Sequence, residues 1–378
     1  MFKKLAHHWG LTQGVLFSAL KTRYEFPVET ERHRRLITLI ETLRVDRFIQ
    51  TYYGCVGRPL KDRSAIAHVF LAKAVYNITD TKFMRELLRT DYTLRRICGF
   101  INLRSIPSEA TFSRAFAEFA QTELPQRIHE SLIKEHYQEE IVYHSSRDAT
   151  AIEARESVKR DASEASKDAQ IAIKVKKKRG RPRKGEERIQ EKPLRRLEKQ
   201  PSMALTHMLD DLPKGCDIGT KKNSKGFKIS WKGYKFHIDV GDGDIPLSAV
   251  LTSASVHDSQ VAIPLSTMTS ARAQVCYELM DAAYDAHEIR GFIRSKGRVD
   301  LIDFNHRSPN DTRKFENFEA ERYKHRNSAE RVNSLLKDNY AGCGFHVRGH
   351  SKIAAHLLFS ITCIAAEQML RLISTIST

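Results

Sequence analysis

The chain is short of acid, of paired cysteines and of long uncharged apolar runs. Against 63 Lys and Arg stand only 46 Asp and Glu, which leaves a formal net charge of +17 at pH 7. Such an imbalance bears on partners rather than on fold. A phosphate polymer is the first partner it suggests, and anionic lipid is the rival, since it also attracts Lys and Arg. The six cysteines, Cys55, Cys98, Cys216, Cys276, Cys343 and Cys363, form no C-x-x-C pair. A zinc site is therefore not expected, and in a basic chain without secretory features these are read as free thiols. Between Met1 and Lys21 the apolar run is only Val15-Leu16-Phe17, with no small-residue cleavage pattern after it, so no signal peptide is read. The most apolar stretch, Ile353 to Leu372, carries His356, Glu367, Gln368 and Arg371. That is too polar for a lipid-facing span and predicts a buried terminal helix. A cytoplasmic protein without a membrane partner is expected.

What is present is a core's worth of apolar residues, 41% of the chain, in two patterns. Residues 30–137 follow a helical period: Leu36-Ile37, Leu39-Ile40 and Leu43, then Ile66, Val69-Phe70 and Ala74-Val75, a helix over Thr81–Leu88, and Ser108 as N-cap of a segment ending near Phe119. With Arg and Lys punctuating them, these helices read equally as a helix-turn-helix-like DNA-binding domain or as an ordinary helical domain with a solvated basic face. Residues 1–29 form an N-terminal extension.

From residue 138 the period shortens. Ile141–His144 predicts a short strand ending at Arg147-Asp148. Residues 155–225 then lose apolar periodicity and read as a basic insertion, loose or with one helix around Arg188–Met208. Order resumes with a hairpin, Gly233–Val240 against Leu247–Leu251, then a helix over Ser259–Met268 and a strand over Val275–Met280 that stops at Asp281. A helix over His287–Ser295, a strand over Val299–Phe304, a long helix from Asn317 to Asn339 and a final apolar helix from Ser351 to Ile373 complete the chain. This order predicts an α/β fold with an RNase H-like mixed sheet and flanking helices, preceded by an all-α N-terminal domain, with the sheet domain drawn from 138–154 and 226–373.

Three acids fall where such a sheet would gather them. Asp148 and Asp281 end strands that would be neighbours, and Glu330 lies on the helix after the last strand. Three hard oxygen ligands suit Mg²⁺, with Mn²⁺ as the alternative, rather than zinc. Taken singly, each has a plainer use: a turn for Asp148, a helix cap for Asp281, a surface charge for Glu330. The helix around Glu330 is more specific. At about 100° per residue Tyr323, Arg326, Glu330 and Lys337 share one stripe, with Val332, Leu335 and Leu336 on the other side. An i,i+4 pair accounts for Arg326 and Glu330 but not for Tyr323.

This segment resembles the Y-x₂-R-x₃-E-x₆-K signature of bacterial insertion-sequence DDE transposases at every fixed position. Arg147–Ala154 is similar to that family's first-aspartate motif and Met280–Asp285 to its second. Lys232–Lys235 and Val256–Ser259 are similar as well. The resemblance covers residues 140–373, and less distinctively the helical region. It implies Asp148, Asp281 and Glu330 as catalytic metal ligands, and Tyr323, Arg326 and Lys337 as phosphate contacts beside the scissile bond. It also implies double-stranded DNA at element ends and in the target as partner, and a homodimer or higher oligomer on that DNA. Asp281 and Glu330 lie only 49 positions apart, too close for the β-rich insertion linked to a hairpin intermediate, so that route is not expected. In the basic insertion, Arg179-Gly180-Arg181-Pro182-Arg183 resembles an AT-hook. Pro182 stiffens an extended backbone while Arg179, Arg181 and Arg183 can enter a narrow minor groove. A linker binding phosphates without sequence preference remains the alternative.

Overall fold

The computed structural model describes residues 30–50, 61–158, 194–222, 226–306 and 312–376. The extension 1–29, Cys55, and Arg179, Arg181 and Arg183 of the AT-hook-like segment lie outside them.

Among the described residues six helices come first: α1 (Glu31–Leu43), α2 (Arg63–Val75), α3 (Thr81–Thr90), α4 (Tyr92–Ile97), α5 (Glu109–Gln121) and α6 (Leu124–Tyr137). Every start but that of α6 carries a side-chain cap. Asp62, Asp80, Asp91 and Ser108 each accept from backbone N–H groups of the first turn, as the sequence predicts for Ser108. The last helix, α13 (His350–Ile376), runs through this region: Phe359 stacks on Phe70 at 5.8 Å between ring centroids and meets Phe116 and Phe119. By length and composition α13 could cross a membrane, yet 83% of its most apolar window is buried in the protein. It serves as the shared core element between the helices and one face of the sheet.

The sheet has six strands: β1 (Ile141–Glu153), β2 (Asp217–Lys222), β3 (Lys228–Gly241), β4 (Ile245–Ser253), β5 (Gln274–Met280) and β6 (Val299–Ile302). β3 pairs antiparallel with β1, β2 and β4, while β5 runs parallel to β1 and β6 parallel to β5. This is the RNase H-like order expected. The α13 face packs on Phe236, Ile238 and Leu247. The other face is covered by α9 (Ser259–Ser270) and α10 (His287–Ser295) through Ile263, Met280, Ile289 and Ile293.

Four local expectations need correction. β1 does not end at Asp148 but continues to Glu153, because antiparallel pairing with β3 takes over where pairing with β5 stops. β6 ends at Ile302, not Phe304. The described parts of 155–225, residues 155–158 and 194–222, hold two short helices, α7 (Arg196–Lys199) and α8 (Leu205–Asp211), where the expected helix Arg188–Met208 overlaps them, and supply β2, so the segment is part of the sheet and not only an insertion. The helix drawn from Asn317 to Asn339 is interrupted: α11 (Asn317–Tyr323) and α12 (Asn327–Asn339) flank a 3₁₀ turn at Lys324–Arg326. Two side chains of β1 account for the tighter turn: Ser146 Oγ donates to the Arg326 carbonyl, and His144 stacks on His325 at 4.3 Å. Among the described residues the cysteines are free thiols, as expected.

Candidate active site

Alternation along β1 divides its side chains between two environments. Ser145 and Arg147 face α9, where Arg147, fully buried, meets Asp239 at 2.7 Å and Glu278 at 3.1 Å. Ser145 and Thr269 donate to the same Asp239, and Ser266 and Arg298 to Glu278. His144, Ser146 and Asp148 face α12 instead. Anchoring Arg147 on one side therefore fixes Asp148 on the other.

The register brings the two aspartates together. Ser146 pairs with Leu279 across the parallel ladder. Asp148 lies two residues beyond that pair on β1, and Asp281 follows directly on Met280, the last residue of β5, so the register sets the two level with each other. Burial pushes the Asp148 carboxyl up to about 6; the charges of Asp281 and Glu330 add to this, against hydrogen bonds from Ala149 N–H and Asn333. Burial likewise raises Asp281, with Asp258 and Asp303 adding and Ala283 N–H and Arg326 opposing. Asp281 also caps the turn Ala282–Tyr284, accepting from Ala283 N at 3.0 Å, so its plainer use is real as well.

Glu330 is on the first turn of α12, which packs across β1 through Ala329, Val332 and Leu336. Its carboxylate is half exposed and held by Arg326 at 2.6 Å, the i,i+4 pair anticipated. Despite the 3₁₀ turn Tyr323 stays beside Arg326, its ring centroid 5.9 Å from the guanidinium carbon. Its hydroxyl donates to the Met280 carbonyl at 3.1 Å, beside Asp281, and its ring lies on Phe315. Lys337, two turns past Glu330, is half-buried; burial and the charge of Lys221 on β2 push its ammonium below the usual range.

Several residues near these acids escaped the sequence reading. Asn333 Nδ2 donates to Asp148 Oδ2 at 2.9 Å; three positions past Glu330, it was legible as the same helix face. Lys235 Nζ lies 2.9 Å from Asp258, which joins the two outlying similar stretches, Lys232–Lys235 and Val256–Ser259, next to Asp281. Lys221 sits on the strand the sequence did not show.

Among the described residues, one His/Asp group has ligand atoms all within 4.8 Å of one another: His144, Asp242 and His325. It makes a poor cation site. His144 Nδ1 is engaged by Asp242 at 2.9 Å, its Nε2 faces the Arg322 guanidinium at 3.3 Å, and its ring is stacked on His325 at 4.3 Å. These contacts fasten the 3₁₀ turn to the sheet. Asp148, Asp281 and Glu330 are more open, since Glu330 turns to Arg326, but their donors are all hard carboxylate oxygens, and the two buried ones carry charge that burial disfavours. Such a set fits a divalent Mg²⁺ or Mn²⁺.

Residues 210–366 match the family described as Transposase DDE domain, and residues 21–118 match Transposase domain (DUF772). Asp281, Tyr323, Arg326, Glu330 and Lys337 fall within the first match; Asp148 lies between the two. No curated protein matches the chain. A helical domain of transposase type, followed by an RNase H-like sheet that sets two aspartates level with each other, leaves one conclusion: the chain belongs to the insertion-sequence DDE transposases.

Proposed function

We propose that this transposase cleaves the ends of its mobile element and joins them to target DNA at a site formed by Asp148, Asp281 and Glu330. The observation that carries the reading is the register Ser146↔Leu279, which supports a site where Asp281, directly after β5, stands level with Asp148 on β1. The chain belongs to the branch with the Y-x₂-R-x₃-E-x₆-K signature. Asp148, Asp281 and Glu330 would hold Mg²⁺, or Mn²⁺ in its place. When bound, the ions supply charge neutralisation and polarisation at the phosphodiester.

The chain's own groups do the rest. In the first step water attacks at the element end; a P–O bond forms, the strand's own P–O bond breaks, and a 3′-hydroxyl is freed. In the second step that hydroxyl attacks a target phosphodiester in the same way. Arg326 neutralises Glu330 in the free protein. A DNA phosphate competes for the same guanidinium as a bidentate partner, and this couples substrate arrival to release of the Glu330 carboxylate. Lys337 contributes a point charge from the far end of α12. Tyr323 positions the strand end through its ring while its hydroxyl holds Met280. Between Asp281 and Glu330 the described residues hold two short 3₁₀ turns, α10, β6, α11 and the start of α12, which leaves no room for a β-rich insertion and favours a route without a hairpin intermediate. The helical region 30–137 binds DNA as well, Arg179, Arg181 and Arg183 reach into A·T-rich minor groove, and the protein acts as a homodimer or higher oligomer on its DNA.

Asp148→Asn, Asp281→Asn and Glu330→Gln test the reading on duplexes carrying element ends and on pre-cleaved ends with a free 3′-hydroxyl. Each should abolish Mg²⁺-dependent cleavage and joining while DNA binding persists. A variant that cleaves at the wild-type rate would remove its residue from the site. Wild-type cleavage without joining would mark a nuclease instead.

A further inference from the structure

The inner half of β3 is flanked on both sides, but its outer half is not. β1 pairing stops at Glu153↔Gly233 and β4 pairing at Ser253↔Tyr234, so residues 228–232 form a ladder with β2 alone, apart from one hydrogen bond from Ala154 N–H to the Lys232 carbonyl. They leave the sheet as a two-stranded ribbon, about 17 Å long at roughly 3.3 Å per residue. The exit is fixed at Gly233. Its φ is +152°, and a Cβ there would stand 2.1 Å from the Ile152 carbonyl oxygen, so no side chain fits. Trp231 braces the ribbon. Its ring lies so close over Gly219 on β2 that a Cβ at that glycine would be 2.3 Å from it, and its Nε1 donates to the Tyr234 carbonyl at 3.0 Å.

The chemistry of this ribbon is one-sided. Residues 218–238 contain six lysines and no Asp or Glu. Lys235 turns inward to Asp258. Lys221, Lys228 and Lys232 are exposed, and no carboxylate pairs with them among the described residues. Between them Ile218, Phe227 and Ile229 are also exposed, at 55%, 68% and 44%. Lysines on a free strand edge deter edge-to-edge pairing, and that is their plain use. It does not explain where these lysines lead. Lys221 stands near enough to Lys337 to act on it as a like charge, and Lys337 in turn feels the charge of Asp148. Two cations that act on each other as like charges, one of which also feels Asp148, suit a bound polyanion.

We propose that the β2–β3 ribbon is a DNA arm. Lys221, Lys228 and Lys232 bind phosphates of the duplex that leads into the carboxylate site, while Phe227 and Ile229 pack in its groove. A two-stranded ribbon is of a width the major groove admits, and an acid-free row of lysines matches a phosphate backbone. The proposal rests on the reading of this chain as a DNA-cleaving transposase, and it adds the surface that holds the DNA flank.

The test uses the full chain and duplex DNA of element-end sequence, with binding followed by fluorescence anisotropy between 50 and 300 mM salt. The variant Lys221→Ala/Lys228→Ala/Lys232→Ala should lower the log–log salt slope by about two to three units, at about 0.9 per lost phosphate contact. A control removing three exposed lysines elsewhere, Lys199→Ala/Lys214→Ala/Lys296→Ala, should leave the slope within one unit of wild type. Phe227→Ala should weaken binding several-fold at an unchanged slope. Thermal melts of each variant establish that the fold is intact. Wild-type binding with an unchanged slope in the ribbon variant overturns the arm and leaves the transposase reading standing. Absence of DNA binding by the wild-type chain overturns both. An unchanged affinity in Phe227→Ala overturns the groove contact.

Discussion

Asn333 donates its amide to Asp148 Oδ2 at 2.9 Å from a position three residues past Glu330, so one face of α12 both carries one acid of the site and orients another. Partners that orient a metal-ligating carboxylate typically matter 10–100-fold in metal affinity or activity. Asn333→Leu is close in volume and removes this donor. Its own Oδ1 has no partner in the buried site, so the one hydrogen bond lost is the donation to Asp148. The expected result is a folded protein needing about 10- to 100-fold more Mn²⁺ for half-maximal cleavage. A Mn²⁺ titration matching wild type would show that Asn333 merely fills space.

Beneath the site, Arg147 is sealed between Asp239 and Glu278. Removing one member of a buried charge group leaves the others unpaired at a cost of about 3–5 kcal/mol. Arg147→Met should therefore lower unfolding free energy by about that much in urea titrations. Adding Asp239→Asn and Glu278→Gln should recover part of the loss, because the stranded charges are then gone. A single variant as stable as wild type would mean that the network is hydrated or rearranged in solution.

Tyr323 separates two roles that the sequence could not. Its hydroxyl already donates to the Met280 carbonyl. Tyr323→Phe should then cost about 1 kcal/mol in stability, the net worth of one hydrogen bond, and should slow cleavage less than tenfold. Arg326→Ala and Lys337→Ala should slow cleavage and joining by about 10²-fold at saturating DNA, since misplacing the strand end by an ångström has such effects. A Tyr323→Phe loss as large as that of Arg326→Ala would place the hydroxyl on a phosphate instead.

Much of this architecture was legible because it depends on local pattern. The bounds of α10 follow directly from the amphipathic run His287–Ser295, and the hairpin of β3 and β4 from strict alternation. What escaped depends on partners distant in the chain. β1 reads as short because Ala149, Thr150 and Ala151 are not an apolar run, yet antiparallel pairing with Lys235–His237 extends it. β2 has only Ile218 among small and charged residues, and it is a strand because β3 offers it a ladder. The break at Lys324–Arg326 is imposed from β1 by Ser146 and His144, which no helical periodicity reveals. Within the site, Asp148, Asp281 and Glu330 could be singled out as residue types at strand ends and on one helix face. The pairing of Lys235 with Asp258, and of Lys221 with Lys337, needed the sheet.

Acid should destabilise the protein well before its ordinary carboxylates titrate. His129, His237 and His356 are buried, and burial pushes them down to about 3, 4 and 4; the charge of Arg272 adds to this at His129 and that of Lys73 at His356. Two are committed as neutral rings, His129 Nε2 to the Pro246 carbonyl at 2.9 Å and His356 Nε2 to the Ala341 carbonyl at 2.8 Å. In the unfolded chain such rings take up protons near pH 6.5. The unfolded state therefore binds more protons than the folded one between about pH 6.5 and pH 4. Stability from these groups is full above about pH 6.5 and is lost as pH falls toward the folded values. Asp148 acts in the opposite sense. Its folded pKa lies above the unfolded one, so it recovers about one proton's worth of stability as pH falls from about 6. These four groups together contribute a slope near pH 5 of about two protons, or about 2.7 kcal/mol per pH unit. Urea unfolding at pH 7.5, 6.0 and 5.0 should show this decline, and His356→Gln should reduce the slope by about one proton even if it lowers stability at pH 7.5. A flat profile between pH 7 and pH 5 would mean that these rings reach water in the folded protein.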